Sequence, residues 1–122
     1  MKTKQLLIVD DSMVSRMKIK KAFSSTSAFE FTEAKSGKEC LDILNKKDFD
    51  LVLLDLLMPD IDGLQVLENL RNKSYTRPVL VVSADIQTTT KTKCLELGAV
   101  DVVPKTMGFK EMKTKVHEIL NG

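Results

Sequence analysis

The sequence is poor in the residue types that most often build metal sites and covalent cross-links. Among its 122 residues there are two cysteines, Cys40 and Cys94, and one histidine, His117. Neither cysteine has a Cys-x-x-Cys spacing, so reduced thiols that pack helices are a better interpretation than a zinc site or a disulfide. His117 lies in a lysine-rich segment and is interpreted as a solvated side chain. Sites built from histidine and cysteine are therefore not expected.

Long apolar runs and long basic runs are also absent. No apolar stretch approaches the roughly 20 residues that cross a bilayer, so we expect no membrane insertion. Lysine and arginine number 19 against 17 acidic residues and are scattered, which does not favour direct binding of nucleic acid. The first residues, Met-Lys-Thr-Lys-Gln, lead directly into an apolar run and do not resemble a signal peptide. These features predict a cytoplasmic protein.

Short apolar runs alternate five times with longer, more polar segments. The alternation predicts a single α/β domain over residues 1–122, in which a doubly wound parallel sheet carries helices on both faces. Strands are predicted at 5–10, 29–34, 51–55, 78–83 and 100–104, and helices at 13–24, 64–72, 88–97 and 109–120, with a further helix capped by Ser36. Right-handed crossovers leave few topologies, and we favour the strand order 2-1-3-4-5.

Local signals add expectations about single residues. Ser36 and Glu39 have the spacing of a capping box. Asp60 and Asp62 are interpreted as loop and turn residues rather than metal ligands. Packing in the core or at its rim is predicted for the methionines at 13, 17, 58, 107 and 112.

Polar residues stand where the buried strands end. The first strand ends at Asp10-Asp11, the third at Asp55 and the fourth at Ser83, and Lys105 lies just beyond the fifth. Parallel strands bring their carboxyl ends to one edge of the sheet. We therefore expect three carboxylates, one hydroxyl and one ammonium group to converge there, which a generic core does not require.

This constellation favours a particular chemistry. Three carboxylates that approach one another repel, so at least one must take up a proton or a cation. Lys105 supplies only one positive charge, and a hard divalent cation such as Mg²⁺ fits the remaining negative charge. A carboxylate in such a site can attack a phosphoryl group, since aspartyl phosphate is a known covalent intermediate. Mg²⁺, Lys105 and the Ser83 hydroxyl would each meet an oxygen of the transferring group.

The same residues resemble those of the bacterial response-regulator receiver family, and the resemblance covers the whole chain. The matching motifs are Asp10-Asp11, Asp55, Met58-Pro59, Asp62-Gly63, Ser83-Ala84 and Lys105. The resemblance implies a CheY-like, flavodoxin-like (βα)5 fold. It also implies two-component or chemotaxis-type signalling, in which a histidine kinase or a small donor supplies the phosphoryl group.

The resemblance assigns a role to each matching residue. Asp55 is similar to the phospho-acceptor, Ser83 to the hydroxyl residue that swings toward the phosphoryl group, and Lys105 to the lysine that pairs with it. Asp11 is similar to the direct Mg²⁺ ligand and Asp10 to the acid that holds a metal-bound water.

A further ligand is implied at the backbone carbonyl of Leu57. Leu57 and Asp85 also occupy the two positions expected to set the lifetime of the phosphoryl group. Leu57 cannot orient an attacking water, and Asp85 adds negative charge near the site, so we expect slow to moderate loss of phosphate.

Two positions depart from the family pattern. Val102 stands where the family often has tyrosine or phenylalanine, so an aromatic rotamer switch cannot operate. Lys105 is preceded by Pro104 and followed by Thr106, whereas the family commonly has lysine followed by a cis proline. Readout would then depend on motion of Ser83 and of the threonine-rich helix 88–97.

Several functions remain to be weighed. The preferred one is a phosphorylated switch that an unknown effector protein reads, with the 88–120 face as the candidate contact surface. The alternatives are a phosphate shuttle or sink without effector readout, and a receiver fragment of a larger regulator. A haloacid-dehalogenase-type phosphatase lacks the second acid two residues after its nucleophile, and a nucleotide binder lacks a glycine-rich loop after the first strand. The chain is expected to catalyse only its own modification and not to be an enzyme on a separate metabolite.

Overall fold

Five parallel strands form one sheet in the order β2-β1-β3-β4-β5. The computed structural model describes residues 3–24, 28–84 and 87–121. The strands are β1 Lys4–Val9, β2 Phe29–Ala34, β3 Leu51–Leu54, β4 Val79–Ser83 and β5 Asp101–Pro104. The helices are α1 Met13–Ala22, α2 Gly37–Leu44, α3 Gly63–Asn72, α4 Thr88–Glu96 and α5 Phe109–Asn121. The predicted fold class and strand order are confirmed, and the element boundaries differ from the predicted ones by at most two residues.

The sheet separates two apolar cores. Along β1, Leu7 and Val9 contribute to the core beneath α2, α3 and α4, whereas Leu6 and Ile8 contribute to the core beneath α1 and α5. Side chains of a strand point alternately to opposite faces, so a strand buried on both faces is apolar at every position. The run Leu51–Leu54 is fully buried for this reason. Within the described ranges, no helix has the length and apolar character needed to cross a bilayer.

Helix caps follow the sequence in part. Ser36 Oγ accepts the Glu39 N–H, as predicted, but the Glu39 carboxylate accepts from the N–H of Lys35 rather than from that of Ser36. The reciprocal half of the predicted capping box is therefore wrong. A complete box is formed instead by Asp62 and Gln65 at the start of α3.

The prediction that methionines pack in or around the core is wrong for α1. Met13 and Met17 are 64% and 56% exposed, and Val14 between them is 60% exposed. Arg16 and Ala22 are the buried positions of this helix, so its other side faces solvent. The prediction is confirmed for Met58 and Met112, which are buried.

The loop from β3 to α3 folds back tightly on the strand. The Gly63 N–H donates to the Leu56 carbonyl at 2.9 Å. A Cβ at position 63 would lie 2.6 Å from the Asp55 carbonyl oxygen and 2.7 Å from the Leu56 Cα. Only glycine fits this approach, because the atoms in the way belong to the backbone.

Gly63→Ala is therefore expected to lower the free energy of unfolding by about 1–3 kcal/mol, as overpacking does elsewhere. Urea denaturation followed by circular dichroism measures the change. Gly108→Ala is the matched control, since a Cβ there would meet only the Glu111 side chain at 3.6 Å. Equal losses for the two variants would contradict the steric argument.

The buried thiols give a second prediction. Cys40 and Cys94 form no disulfide and are fully buried, and burial raises the pKa of the Cys40 thiol to about 12. Because the thiolate is the nucleophile, iodoacetamide at pH 8 is expected to leave the native protein unmodified and to add two labels in guanidinium chloride. Intact mass measures both. Rapid labelling of the native protein would show that these helices open readily.

Candidate functional site

The carboxyl ends of four strands are tied together in two pairs, β1 with β3 and β4 with β5, one residue beyond the sheet. The Asp55 N–H donates to the Val9 carbonyl at 2.9 Å, next to Asp10, and the Lys105 N–H donates to the Ser83 carbonyl at 2.9 Å. These bonds extend the parallel ladders past β3 and β5. The backbone therefore fixes where the polar side chains begin.

Three carboxylates converge at this edge. Asp10 and Asp55 are buried, at 2% and 3% exposure, and Asp11 is exposed. One carboxylate oxygen from each lies within 4.8 Å of the others. Lys105 Nζ lies 2.9 Å from Asp10 Oδ2 and 3.3 Å from Asp55 Oδ2. The ammonium group thus contacts two of the three acids, and these groups converge as the order of the strands led us to expect.

Burial and crowding oppose ionisation of Asp55. Loss of solvent raises the pKa of the Asp55 carboxyl, and repulsion from Asp10 adds to the rise, although Lys105 draws the pKa down. Burial also disfavours the Lys105 ammonium, but the hydrogen bond to Asp10 and the charges of both acids raise the pKa of Lys105 overall. The site therefore keeps its lysine charged and still has an excess of negative charge.

An unpaired oxygen marks the centre of the cluster. Asp55 Oδ1 is buried and has no hydrogen-bond partner among the residues that the structure describes. A buried acceptor without a donor is costly unless another group meets it. The ligands on offer are carboxylate oxygens, which suit Mg²⁺ and other hard cations. The residues present therefore fit a bound Mg²⁺.

The remaining predicted residues lie close by. Ser83 is fully buried at the end of β4, pairs in register with Pro104, and is joined to Lys105 through its carbonyl. Leu57 follows Asp55 by two residues, and its side chain is 62% exposed. Asp85, invoked for the lifetime of the phosphoryl group, lies outside the described residues.

Two neighbouring acids serve the loops, as predicted. Asp60 accepts the N–H groups of Gly37 and Lys38 at the start of α2. Asp62 caps α3. Both carboxylates are engaged by backbone donors, so the cation cluster is limited to Asp10, Asp11 and Asp55 among the described residues.

Sequence reasoning missed two residues beside the site. Ser15 Oγ lies 3.5 Å from Lys105 Nζ. Arg16, a charged residue of α1, is only 6% exposed and donates to the Asp10 carbonyl at 2.7 Å. The available signal was its spacing from Ile19 and Phe23, which lie three and seven residues further on and pack against the core beneath α1.

Comparisons with known proteins agree with this geometry. Residues 6–117 match the response regulator receiver domain family. The response regulator MprA of Mycolicibacterium vanbaalenii is 30% identical over 116 residues, which are 95% of this chain and 50% of that protein. The transcriptional regulatory protein SrrA of Staphylococcus aureus is 31% identical over 116 residues, 95% of this chain and 47% of that protein. The chain spans about half the length of these curated relatives.

Solved structures resemble the whole chain. The receiver domain of the Francisella response regulator 1452 has a TM-score of 0.90 at 28% identity and covers 98% of both chains. The receiver domain of the NarL response regulator from Mycobacterium tuberculosis has a TM-score of 0.92 at 25% identity, with 100% of this chain and 99% of that chain covered. With the family match over nearly the full length, the chain belongs to the response regulator receiver domain family.

Proposed function

We propose that the chain is a receiver that accepts a phosphoryl group on Asp55 from the phosphohistidine of a histidine kinase, with Mg²⁺ bound beside it. The observation that carries this proposal is the buried Asp55 carboxylate, whose Oδ1 has no hydrogen-bond partner among the described residues and whose Oδ2 lies 3.3 Å from Lys105 Nζ. The nucleophilic carboxylate of Asp55 and the ammonium group of Lys105 therefore lie next to each other in a site with excess negative charge.

The residues divide the chemistry between them. Asp55 forms a bond to phosphorus as the phosphorus–nitrogen bond of the donor breaks, and the leaving imidazole takes up a proton. Lys105 holds the carboxylate in its ionised form and then meets a phosphoryl oxygen, as the Ser83 hydroxyl does from the end of β4.

The cation would be held by Asp10, Asp11, Asp55 and the backbone carbonyl of Leu57. In this proposal Asp11 would bind it directly, and Asp10 would hold it through a water. When bound, Mg²⁺ would offset the charge of the crowded acids and the charge that develops on the phosphoryl oxygens. A similar structure, 26% identical with a TM-score of 0.88, is the CheX-CheY-BeF3-Mg²⁺ complex of Borrelia burgdorferi, in which 95% of this chain and 88% of that chain are covered. That precedent supports the cation assignment.

In this proposal the kinase contacts an exposed apolar surface on α1. Met13, Val14 and Met17 are apolar and exposed, on the helix that begins two residues after Asp11. Phe109 is 47% exposed at the start of α5, and it lines a cleft shared with Asp10 and Lys105. We infer that the kinase docks over this end of α1 in the cytoplasm, where its phosphohistidine reaches the cleft.

The phosphorylated form is read by an effector protein in this proposal, through the 88–120 face. Leu95 and Val100 are apolar and 43% and 46% exposed there. The helix α4 begins after Gln87, whose side chain does not form a capping hydrogen bond. The chain would act only on itself, not as an enzyme on a separate metabolite.

The alternatives keep specific support. Val102 in β5 is 6% exposed and offers no aromatic ring to rotate, which favours a phosphate shuttle or sink. The half-length match to MprA and SrrA favours a receiver that belongs to a larger regulator. Both alternatives share the acceptor chemistry of Asp55 with the preferred function. The first differs in the fate of the phosphoryl group, and the second in the protein to which the receiver belongs.

The acceptor chemistry is tested with a small phosphodonor such as acetyl phosphate. We expect a mass gain of about 80 Da that requires Mg²⁺ and disappears in Asp55→Asn. Asp42→Asn is the matched control, because Asp42 is exposed on α2, away from the cluster. Equal labelling of wild type and Asp55→Asn would place the phosphoryl group elsewhere and overturn the proposal.

The role of Lys105 is tested without cation or donor. Lys105→Met removes the positive charge 3.3 Å from Asp55, so the pKa of the Asp55 carboxyl is expected to rise further. Carboxyl ¹³C NMR across a pH titration reports the midpoint. Lys18→Met is the control, since Lys18 lines the same cleft without a recorded contact to Asp55. An unchanged midpoint in Lys105→Met would remove the electrostatic part of the argument.

A further inference from the structure

A buried guanidinium group lies directly behind the acidic cluster. Arg16 is 6% exposed on α1, and its side chain joins the ends of two strands. Its NH1 group donates to the Asp10 carbonyl at 2.7 Å, and its Nε donates to Glu33 Oε1 at 2.8 Å. Lys20 Nζ meets the other oxygen of Glu33 at 2.9 Å.

The atom that Arg16 holds is significant. The carbonyl of Asp10 belongs to the peptide group that joins Asp10 to Asp11, the two acids after β1. Rotation of that peptide group would move the backbone of Asp11 and tilt the Asp10 side chain. The Arg16 bond opposes this rotation, and the N–H of Ser12, which donates to Asp10 Oδ1 at 2.9 Å, holds the same turn from the other side.

The pairing with Glu33 gives this contact a fixed direction. A guanidinium group is planar, with its donors in a rigid fork, so a bond at Nε to Glu33 orients the NH1 group as well. Lys20 and Arg16 both lower the pKa of Glu33, which keeps its carboxylate charged. Glu33 belongs to β2, the strand next to β1, so the orientation of the guanidinium group is fixed relative to the sheet.

We propose that Arg16, oriented by Glu33, is a positioning residue that fixes the peptide between Asp10 and Asp11 and thereby sets the affinity of the site for Mg²⁺. The inference rests on the proposed function, because it requires that these acids hold the cation. Partners that orient metal ligands from behind typically contribute a factor of about 10–100 to metal affinity.

A purely structural role predicts something different. If the ion pairs only join α1 to β2, Arg16 and Lys20 are equivalent, since both bind Glu33 with one positive charge. Lys20 makes no recorded contact with the Asp10 carbonyl. Electrostatics alone would also make either neutral variant bind a cation more tightly, because a nearby positive charge is lost. Weaker binding in the Arg16 variants therefore separates positioning from charge.

The test is Mg²⁺ binding by isothermal titration calorimetry at pH 7, without phosphodonor, on folded wild type, Arg16→Met, Arg16→Lys and Lys20→Met. Circular dichroism and thermal melting set a temperature at which each variant is folded. We expect the Kd to rise about tenfold or more in both Arg16 variants and to stay within about twofold in Lys20→Met. Arg16→Lys keeps the charge without the fork, and it carries the test if Arg16→Met does not fold.

Each outcome has a clear meaning. Equal Kd values for wild type and the folded Arg16 variants would overturn the inference and leave the proposed function intact. Equal weakening in Lys20→Met and Arg16→Met would also overturn it, in favour of a structural ion pair. Absence of Mg²⁺ binding by wild type would overturn the inference together with the cation part of the proposed function.

Discussion

The contact on which this structure depends is that of one ammonium group with two buried carboxylates. Lys105 Nζ lies between Asp10 and Asp55, which have almost no access to solvent. One lysine cannot neutralise both acids together with Asp11, so the apo site retains excess negative charge. A structure that buries such an excess is stable only because the surrounding fold supplies the free energy. In the proposed function the same excess draws in a cation, and that cation would offset the charge of the incoming phosphoryl group.

Backbone geometry, more than side-chain packing, keeps this arrangement in place. The N–H groups of Asp55 and Lys105 continue the ladders of β3 and β5, and Gly63 lets the next loop lie against the Asp55 carbonyl. Arg16 holds the corresponding carbonyl of Asp10 on the other strand. Each reactive side chain therefore starts from a peptide group that is fixed on at least one side. Preorganisation of this kind lowers the cost of assembling charged groups when a substrate arrives.

The sequence predicted the convergence of the acids because topology alone enforces it. Once five βα units are recognised, the carboxyl ends of all the strands must lie at one edge of the sheet. The proximity of Asp10, Asp55 and Lys105 then follows without further information. The burial of Arg16 could not be predicted in this way, because its partner Glu33 is seventeen residues away on another strand. Charge patterning places arginine in solvent unless a partner is known. The prediction that Met13 and Met17 are buried failed for the opposite reason. Composition shows that these side chains are apolar, but it does not show which side of a helix packs against the sheet.

In the proposed switch, the same strand ends would link the acidic cluster to the 88–120 face. The carbonyl of Ser83 accepts the N–H of Lys105, so the two residues that would meet phosphoryl oxygens are already coupled through the backbone. Asp101, at the opposite end of β5, pairs with Lys115 of α5 at 2.8 Å and more loosely with Lys91 of α4 at 4.0 Å. Val102 lies between Asp101 and Lys105 in the sequence, where the family often has an aromatic residue. In the proposed switch, no aromatic side chain can therefore rotate at this position to carry the signal. It would have to pass as a displacement of β4 and β5 themselves, which the ion pairs of Asp101 would transmit to α5 and α4.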